Sequence, residues 1–279
     1  MKICFILKNG GKGMERKLGN TTFKVVKNEW TVYFDMAMAM LDVIKRNNEI
    51  GKNTVMIVPV GPTDQYPILA EMINKFNVSL KNVHFFNMDE YMISPTESID
   101  PDHPMSFHKR METEFYNLVR EDLVMPKEQR HFPEPGKEAE YDKLIEDLGG
   151  VDACFGGLGI NGHIAFNEPP EADEKLSAEE FGNLGTRVLP ISRETKTINA
   201  YGYQRGDLRG MPEWCITIGM KQILSAKEVY IALNRPWQHG IVKHALFDEP
   251  QAAIPASLLQ KCGKVCYCTY PEVAEGLFD

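Results

Sequence analysis

A chain of 279 residues with 43% apolar and 25% charged side chains has a globular balance and the length for one large α/β domain or two small ones. A formal charge of −8, with acidic and basic residues interspersed, argues against a nucleic-acid partner, which would select a basic face. No apolar run approaches the roughly 20 residues of a membrane span, and the apolar part of MKICFILKNGG is too short for a signal peptide, so a cytoplasmic protein is expected.

Taken in chain order, short apolar runs at 2–8, 54–60, 82–88, 152–159, 228–234 and 264–270 are predicted as strands. Most are apolar on both faces, which favours a parallel sheet covered on both sides. Helical periodicity falls between them, at 30–48, 66–77, 106–122 and 137–150. The alternation predicts an α/β fold of Rossmann-like type: a doubly wound, mostly parallel sheet with helices on both faces. No repeat or linker interrupts it, so residues 1–279 are expected to form a single domain. The polar, acidic stretch 168–185 reads as a surface excursion or a mobile lid.

The six cysteines are scattered, and reduced thiols are expected. Cys262, Cys266 and Cys268 cluster near the end, but they lack the CxxC pairs or companion histidines of a zinc site. Alternation in KVCYCTY reads instead as a strand with Cys266 and Cys268 on one face. No metal site is expected.

Three strands finish in polar chemistry. The first is followed by VGPT, with Gly61 and Thr63; the second by MDEYM, with Asp89, Glu90 and Tyr91. The third runs into GGLGINGHIAFNEPP, residues 156–170, which carries Gly159, Asn161, Gly162, His163 and Glu168. In a parallel sheet all three turns leave the same edge, so Asp89, His163 and Glu168 can converge in one crevice. Each signal alone has a bland explanation. An Asp-Glu pair after a strand is commonly a turn or a helix cap, a lone histidine is commonly structural, and a glycine-rich turn is weak evidence for phosphate binding. Their joint appearance at successive strand ends points to catalysis.

NMDEYM together with GGLGINGHIAFNEP resembles the signature segments of glucosamine-6-phosphate deaminases, and DHPMSFHKRM, TRVLPISRET and WCITIGMKQILSAKEVYIAL follow the same pattern in order. The similarity covers roughly residues 50–270. The related 6-phosphogluconolactonases share the glycine-histidine turn but not the continuation into AFNEP. The resemblance implies conversion of an amino-aldose phosphate to a ketose and ammonia, without metal or other cofactor. By the same resemblance His163 opens the sugar ring, Asp89 is the enolising base, and Glu168 supports the histidine, with Asn161 beside it. Gly61, Thr63, Glu90, Tyr91, Gly159 and Gly162 are candidates for sugar contact. The expected partner is a small sugar phosphate, with no nucleic acid or membrane; a homo-oligomer is compatible with the sequence.

The chain departs from the family pattern in two places. The family has an aspartate where Asn161 stands; asparagine can accept a hydrogen bond but brings no charge to an imidazolium. The family's Gly-Gly-Thr-Pro phosphate turn is VGPT here, and its phosphate-binding arginine and lysine fall on Tyr201 and Gln238. Arg193, Lys196, Arg205, Arg235 and His239 are the candidate replacements. The departures leave open a different or non-phosphorylated sugar, or a non-catalytic sugar-binding relative.

Overall fold

The computed structural model describes residues 4–6, 14–171 and 173–278. These residues form a nine-stranded sheet and a smaller, four-stranded one. The strands of the large sheet are β1 (Cys4–Ile6), β2 (Met14–Leu18), β3 (Thr21–Val25), β4 (Thr54–Val58), β5 (Val83–Asn87), β8 (Arg130–His131), β9 (Ala153–Gly156), β12 (Glu228–Ala232) and β13 (Val265–Thr269). The small sheet holds β6 (Asp89–Ser94), β7 (Glu97–Ser98), β10 (Arg187–Pro190) and β11 (Trp214–Thr217). Of the expected strand 2–8, Cys4–Ile6 is described and the rest lies outside the described residues.

The spatial order of the large sheet is β1-β2-β3-β13-β12-β9-β4-β5-β8. From β3 to β8 every pairing is parallel; only β1–β2 and β2–β3 are antiparallel. Every residue of β4 and β9 is buried. Successive side chains in a strand point to opposite faces, so both faces of the sheet centre are covered.

Helix α1 (Glu29–Glu49) starts where the Asn28 side chain accepts the Thr31 N–H at 3.0 Å. Its buried stripe of Val32, Met36, Met40, Val43 and Ile44 repeats at helical spacing. Burial of such side chains stabilises by roughly 1.5–3 kcal/mol each. Helix α2 (Gln65–Phe76) follows β4 and stops at Asn77, whose φ of 51° is left-handed.

The helix expected over 106–122 is shorter, α3 (Phe107–Glu114), followed by a 3₁₀ turn at Tyr116–Leu118. Phe115 leaves helical geometry, at φ −137°, to pack its ring against Tyr66 and Phe85 with centroids 5.6 and 5.4 Å apart. Helix α4 (Glu138–Asp147) stands where 137–150 was expected. The second half of the stretch 168–185 carries a short helix, α5 (Ala178–Gly182). Ser177 and Glu180 form a reciprocal capping box there, and Phe181 is fully buried. Helices α6 (Arg193–Tyr203), α7 (Met220–Leu224), α8 (Gln238–Phe247) and α9 (Pro271–Ala274) follow in chain order. Cys266 and Cys268 lie in β13 as free thiols, in keeping with the strand reading of the tail. No helix among the described residues is long and apolar enough to cross a membrane.

Candidate active site

Strand order places the site. From β4 the chain moves one way along the sheet, to β5 and β8; from β9 it moves the other way, to β12 and β13. The carboxyl ends of β4 and β9 therefore flank a topological switch point, where open α/β sheets form their crevice. Gly157, just past β9, marks how closely the strand ends meet. A Cβ there would lie 3.2 Å from the Pro62 ring, 3.5 Å from the Ala232 carbonyl and 3.7 Å from the Gly61 carbonyl.

The loop after β9 is folded tightly around the histidine. Gly159 donates its N–H to the His163 carbonyl at 3.0 Å, and Gly162 donates to the Gly159 carbonyl at 3.0 Å. The imidazole lies directly over Gly159, where a Cβ would come within 2.0 Å of Cε1. Only glycine fits beneath the ring.

His163 is held by a network that ends in a carboxylate. Asn161 donates from Nδ2 to Glu168 Oε2 at 2.6 Å, while its Oδ1 lies 2.8 Å from His163 Nδ1. A carboxylate can only accept, so the amide must face Glu168 with its NH₂ and the histidine with its oxygen. His163 Nδ1 then carries the proton, and the neutral ring keeps its lone pair on Nε2. Thr195 Oγ1, on α6, lies 3.2 Å from the same Nδ1, and Glu168 Oε2 is 3.3 Å from it. Burial opposes ionisation of Glu168. The hydrogen bond from His163 and the positive charge that its ring carries when protonated, with hydrogen bonds from Asn161 and Thr195, outweigh it and hold the carboxyl at about 2.

Asp89 arrives from the other direction, as the first residue of β6. It faces Thr217 of β11 across the small sheet, and the Thr217 hydroxyl accepts the Phe166 N–H at 2.9 Å. One residue of β11 thus ties the Asp89 strand to the segment between His163 and Glu168. Desolvation pushes the Asp89 carboxyl well above the usual carboxylate range, and the like charge of Glu90 adds to it.

Asp89 and His163 line one cavity of about 620 Å³. Of the sequence-predicted residues, Gly61, Tyr91 and Gly159 also line it. Thr63, Glu90, Gly162, Asn161 and Glu168 do not. Asn161 and Glu168 stand behind His163. Glu90 turns away from the cavity: Oε1 accepts the Tyr91 and Phe107 N–H groups at 2.8 and 2.9 Å. Its Oε2 accepts the Ser106 hydroxyl and the His108 N–H at 2.9 and 3.0 Å, so Glu90 caps α3. Thr63 accepts from Arg110 at 2.8 Å, and Gly162, at φ 87°, turns against Ile241 and Ile254.

Tyr201 and Gln238 both line the cavity, and of the five candidate replacement cations Arg235 alone does so. Sequence reasoning singled out neither Thr195 nor Asn199. Asn199 lines the cavity and donates to the Tyr91 hydroxyl at 3.1 Å. Their helix is announced by Ser192, which caps it by accepting the Thr195 N–H. Nothing in the local sequence says which face of α6 meets the histidine. Among the described residues no group of three or more His, Cys, Asp or Glu could hold a metal ion.

No protein-family model matches the chain. It is 32% identical over 238 residues to the glucosamine-6-phosphate deaminase of Lachnoclostridium phytofermentans, covering 82% of this chain and 92% of that one. It is 31% identical over 240 residues to the same-named protein of Clostridium perfringens, covering 85% and 91%. Among solved structures, a monomeric glucosamine-6-phosphate deaminase superposes with a TM-score of 0.77 at 23% identity, covering 90% of this chain and 98% of that one. The 6-phosphogluconolactonase of Thermotoga maritima superposes at 0.65 with 14% identity, covering 90% and 99%.

Proposed function

Because the chain belongs to the glucosamine-6-phosphate deaminase family, we propose that its cavity converts an amino-aldose phosphate, glucosamine 6-phosphate or a close relative, into a ketose phosphate and ammonia. The observation that carries this reading is the convergence of Asp89 and the His163–Asn161–Glu168 network on one cavity at the switch point. No cofactor is needed for the chemistry.

The roles follow from the residue types. His163 opens the pyranose by moving a proton from the anomeric hydroxyl to the ring oxygen, with its Nε2 lone pair as the entry point. Ionised Asp89 then takes the proton from C2 to give an enolamine and returns a proton to C1. The iminium left at C2 adds water and expels ammonia, so the net reaction is hydrolysis of a C–N bond coupled to aldose–ketose isomerisation. A desolvated carboxylate is a stronger base than a hydrated one, which suits Asp89 to the enolisation. Glu168, held ionised, steadies the imidazolium formed during ring opening. Gly61, Tyr91 and Gly159 are the sugar contacts on this reading.

We read residues 1–279 as a single functional unit in the cytoplasm. The scarcity of cations in the cavity favours, as a second reading, a different or non-phosphorylated amino sugar. Coupled detection of ammonia and ketose from phosphorylated and free amino sugars tests both. No turnover on any of them, with saturable sugar binding, would make the protein a sugar-binding relative instead.

A further inference from the structure

We propose that Arg235 is the side chain that binds the substrate's phosphate, and that it is released for this from a surface ion pair with Glu29; the proposal rests on the sugar-phosphate reading above. Arg235 is the only lysine or arginine among the described residues that line the cavity. A phosphate ester in a crevice is favoured by such a charged donor, and a guanidinium matches its oxygens bidentately.

The other nearby cations are committed elsewhere. Arg110 donates to Thr63 at 2.8 Å, pairs with Glu114 at 3.1 Å and lies over the Tyr203 ring, outside the cavity lining. Lys196 pairs with Glu213, and His239 Nδ1 bonds the Val273 carbonyl at 2.9 Å. Arg193 and Arg205 are exposed and do not line the cavity.

Arg235 is differently placed, with a fixed backbone and a loosely held head. Its N–H donates to Gln238 Oε1 at 2.9 Å, and buried Gln238 in turn donates to the Leu158 carbonyl at 2.8 Å. The turn is thereby anchored to the glycine-rich loop of the active site. The guanidinium meets Glu29 at 3.0 Å with both side chains well exposed, 49% and 39%. Exposed pairs of this kind are weak and exchange readily. When Arg235 leaves, Glu29 keeps the Tyr33 hydroxyl at 2.7 Å, and Tyr33 keeps Asn234 at 2.8 Å, so no group is orphaned. The N-terminus of α8, which lacks a side-chain cap, follows Arg235 by three residues and adds its partial positive charge to the same end of the cavity.

Titration calorimetry of the full chain with glucitol 6-phosphate and with glucitol tests this without requiring turnover, so its outcome is separable from a failure of the catalytic reading. Wild type should bind the phosphate ester more tightly than the free polyol. Arg235→Gln should weaken the phosphate ester roughly 10- to 100-fold while changing glucitol by less than about twofold. Arg235→Lys should restore most of the loss, and Glu29→Gln should tighten the ester about two- to fivefold by removing the competitor. Wild type that does not distinguish the two ligands, or fails to bind the ester, overturns the proposal. So does an Arg235→Gln variant that leaves ester binding unchanged or weakens both ligands equally.

Discussion

Restoring the family's aspartate at Asn161 should harm this protein. Asn161 Nδ2 donates to Glu168 Oε2 at 2.6 Å, beside a carboxylate whose side chain is 7% exposed. Asn161→Asp exchanges that donor for an oxygen. The charge-assisted hydrogen bond is lost, at about 1.5–3 kcal/mol. Two unit charges 2.6 Å apart also repel by roughly 6 kcal/mol at an effective dielectric near 20. That repulsion is worth about 4–5 pKa units, so the pair keeps one proton rather than ionise fully. The sign of the pH dependence therefore reverses. In wild type, Glu168 is depressed from 4.5 to about 2, so its contribution is present above pH 4.5 and lost as pH falls towards 2. In the variant the shared proton has a raised pKa, so stability is greatest at low pH and is lost as pH rises through that value. Thermal melts from pH 4 to 8.5 read this directly. The variant should fall progressively below wild type as pH rises, by roughly 3–10 °C at the alkaline end. Parallel curves, or a variant more stable at pH 8, would show that Asn161 does not bridge the two groups as described.

The other expectations concern single roles. Asp89→Asn should lower kcat roughly 10²- to 10⁴-fold and abolish solvent-deuterium exchange at the sugar's reacting carbon; retained exchange removes Asp89 from the enolisation. The same variant should melt higher than wild type above about pH 4, because a folded pKa raised by desolvation makes the ionised group a cost that grows as pH rises through it. Glu90→Gln should destabilise by about 1–3 kcal/mol, since its amide would face a donor at the start of α3, yet leave KM unchanged; a large KM effect with normal stability would return Glu90 to the sugar. Thr195→Val should lower kcat about tenfold with KM held, and should shift the acid limb of the pH–rate profile. An unshifted profile would make Thr195 merely structural.

The parallel core was legible because its strands are apolar on both faces, a pattern that antiparallel, half-wet strands do not show. β4, β5, β9, β12 and β13 all lie within the expected runs. The small sheet was not legible. β6 carries the chemistry at its first residue, and β10 is only partly buried, so neither reads as a buried run. The capping box at Ser177–Glu180 was visible in the sequence as S-x-x-E ahead of α5, but the acidic composition around it masked the packed Phe181. In the site, sequence order alone put Asp89 and His163 at strand ends. It could not show Glu90 turning to cap α3, nor Thr195 arriving from a helix some thirty residues downstream. Such contacts depend on how elements cross, and no local period encodes that.

Asp89 and Glu168 are both carboxylic acids, both buried and both brought to the same site, yet their surroundings drive them apart. Asp89 is dominated by desolvation and the neighbouring charge of Glu90, and its proton is held tightly. Glu168 is equally buried by surface area but faces the histidine, the Asn161 amide and Thr195, and its charge is held instead. On the proposed mechanism, opposed shifts of this kind suit Asp89 to exchanging protons and Glu168 to remaining a fixed charge. On that division Asn161 does more than fill the place of a missing aspartate. Its amide orients the histidine and donates to the single charge of Glu168, whereas a second carboxylate at that position would set a like charge beside it. The substitution is thus coupled to the placement of Glu168, and the two positions are best understood as one unit around His163.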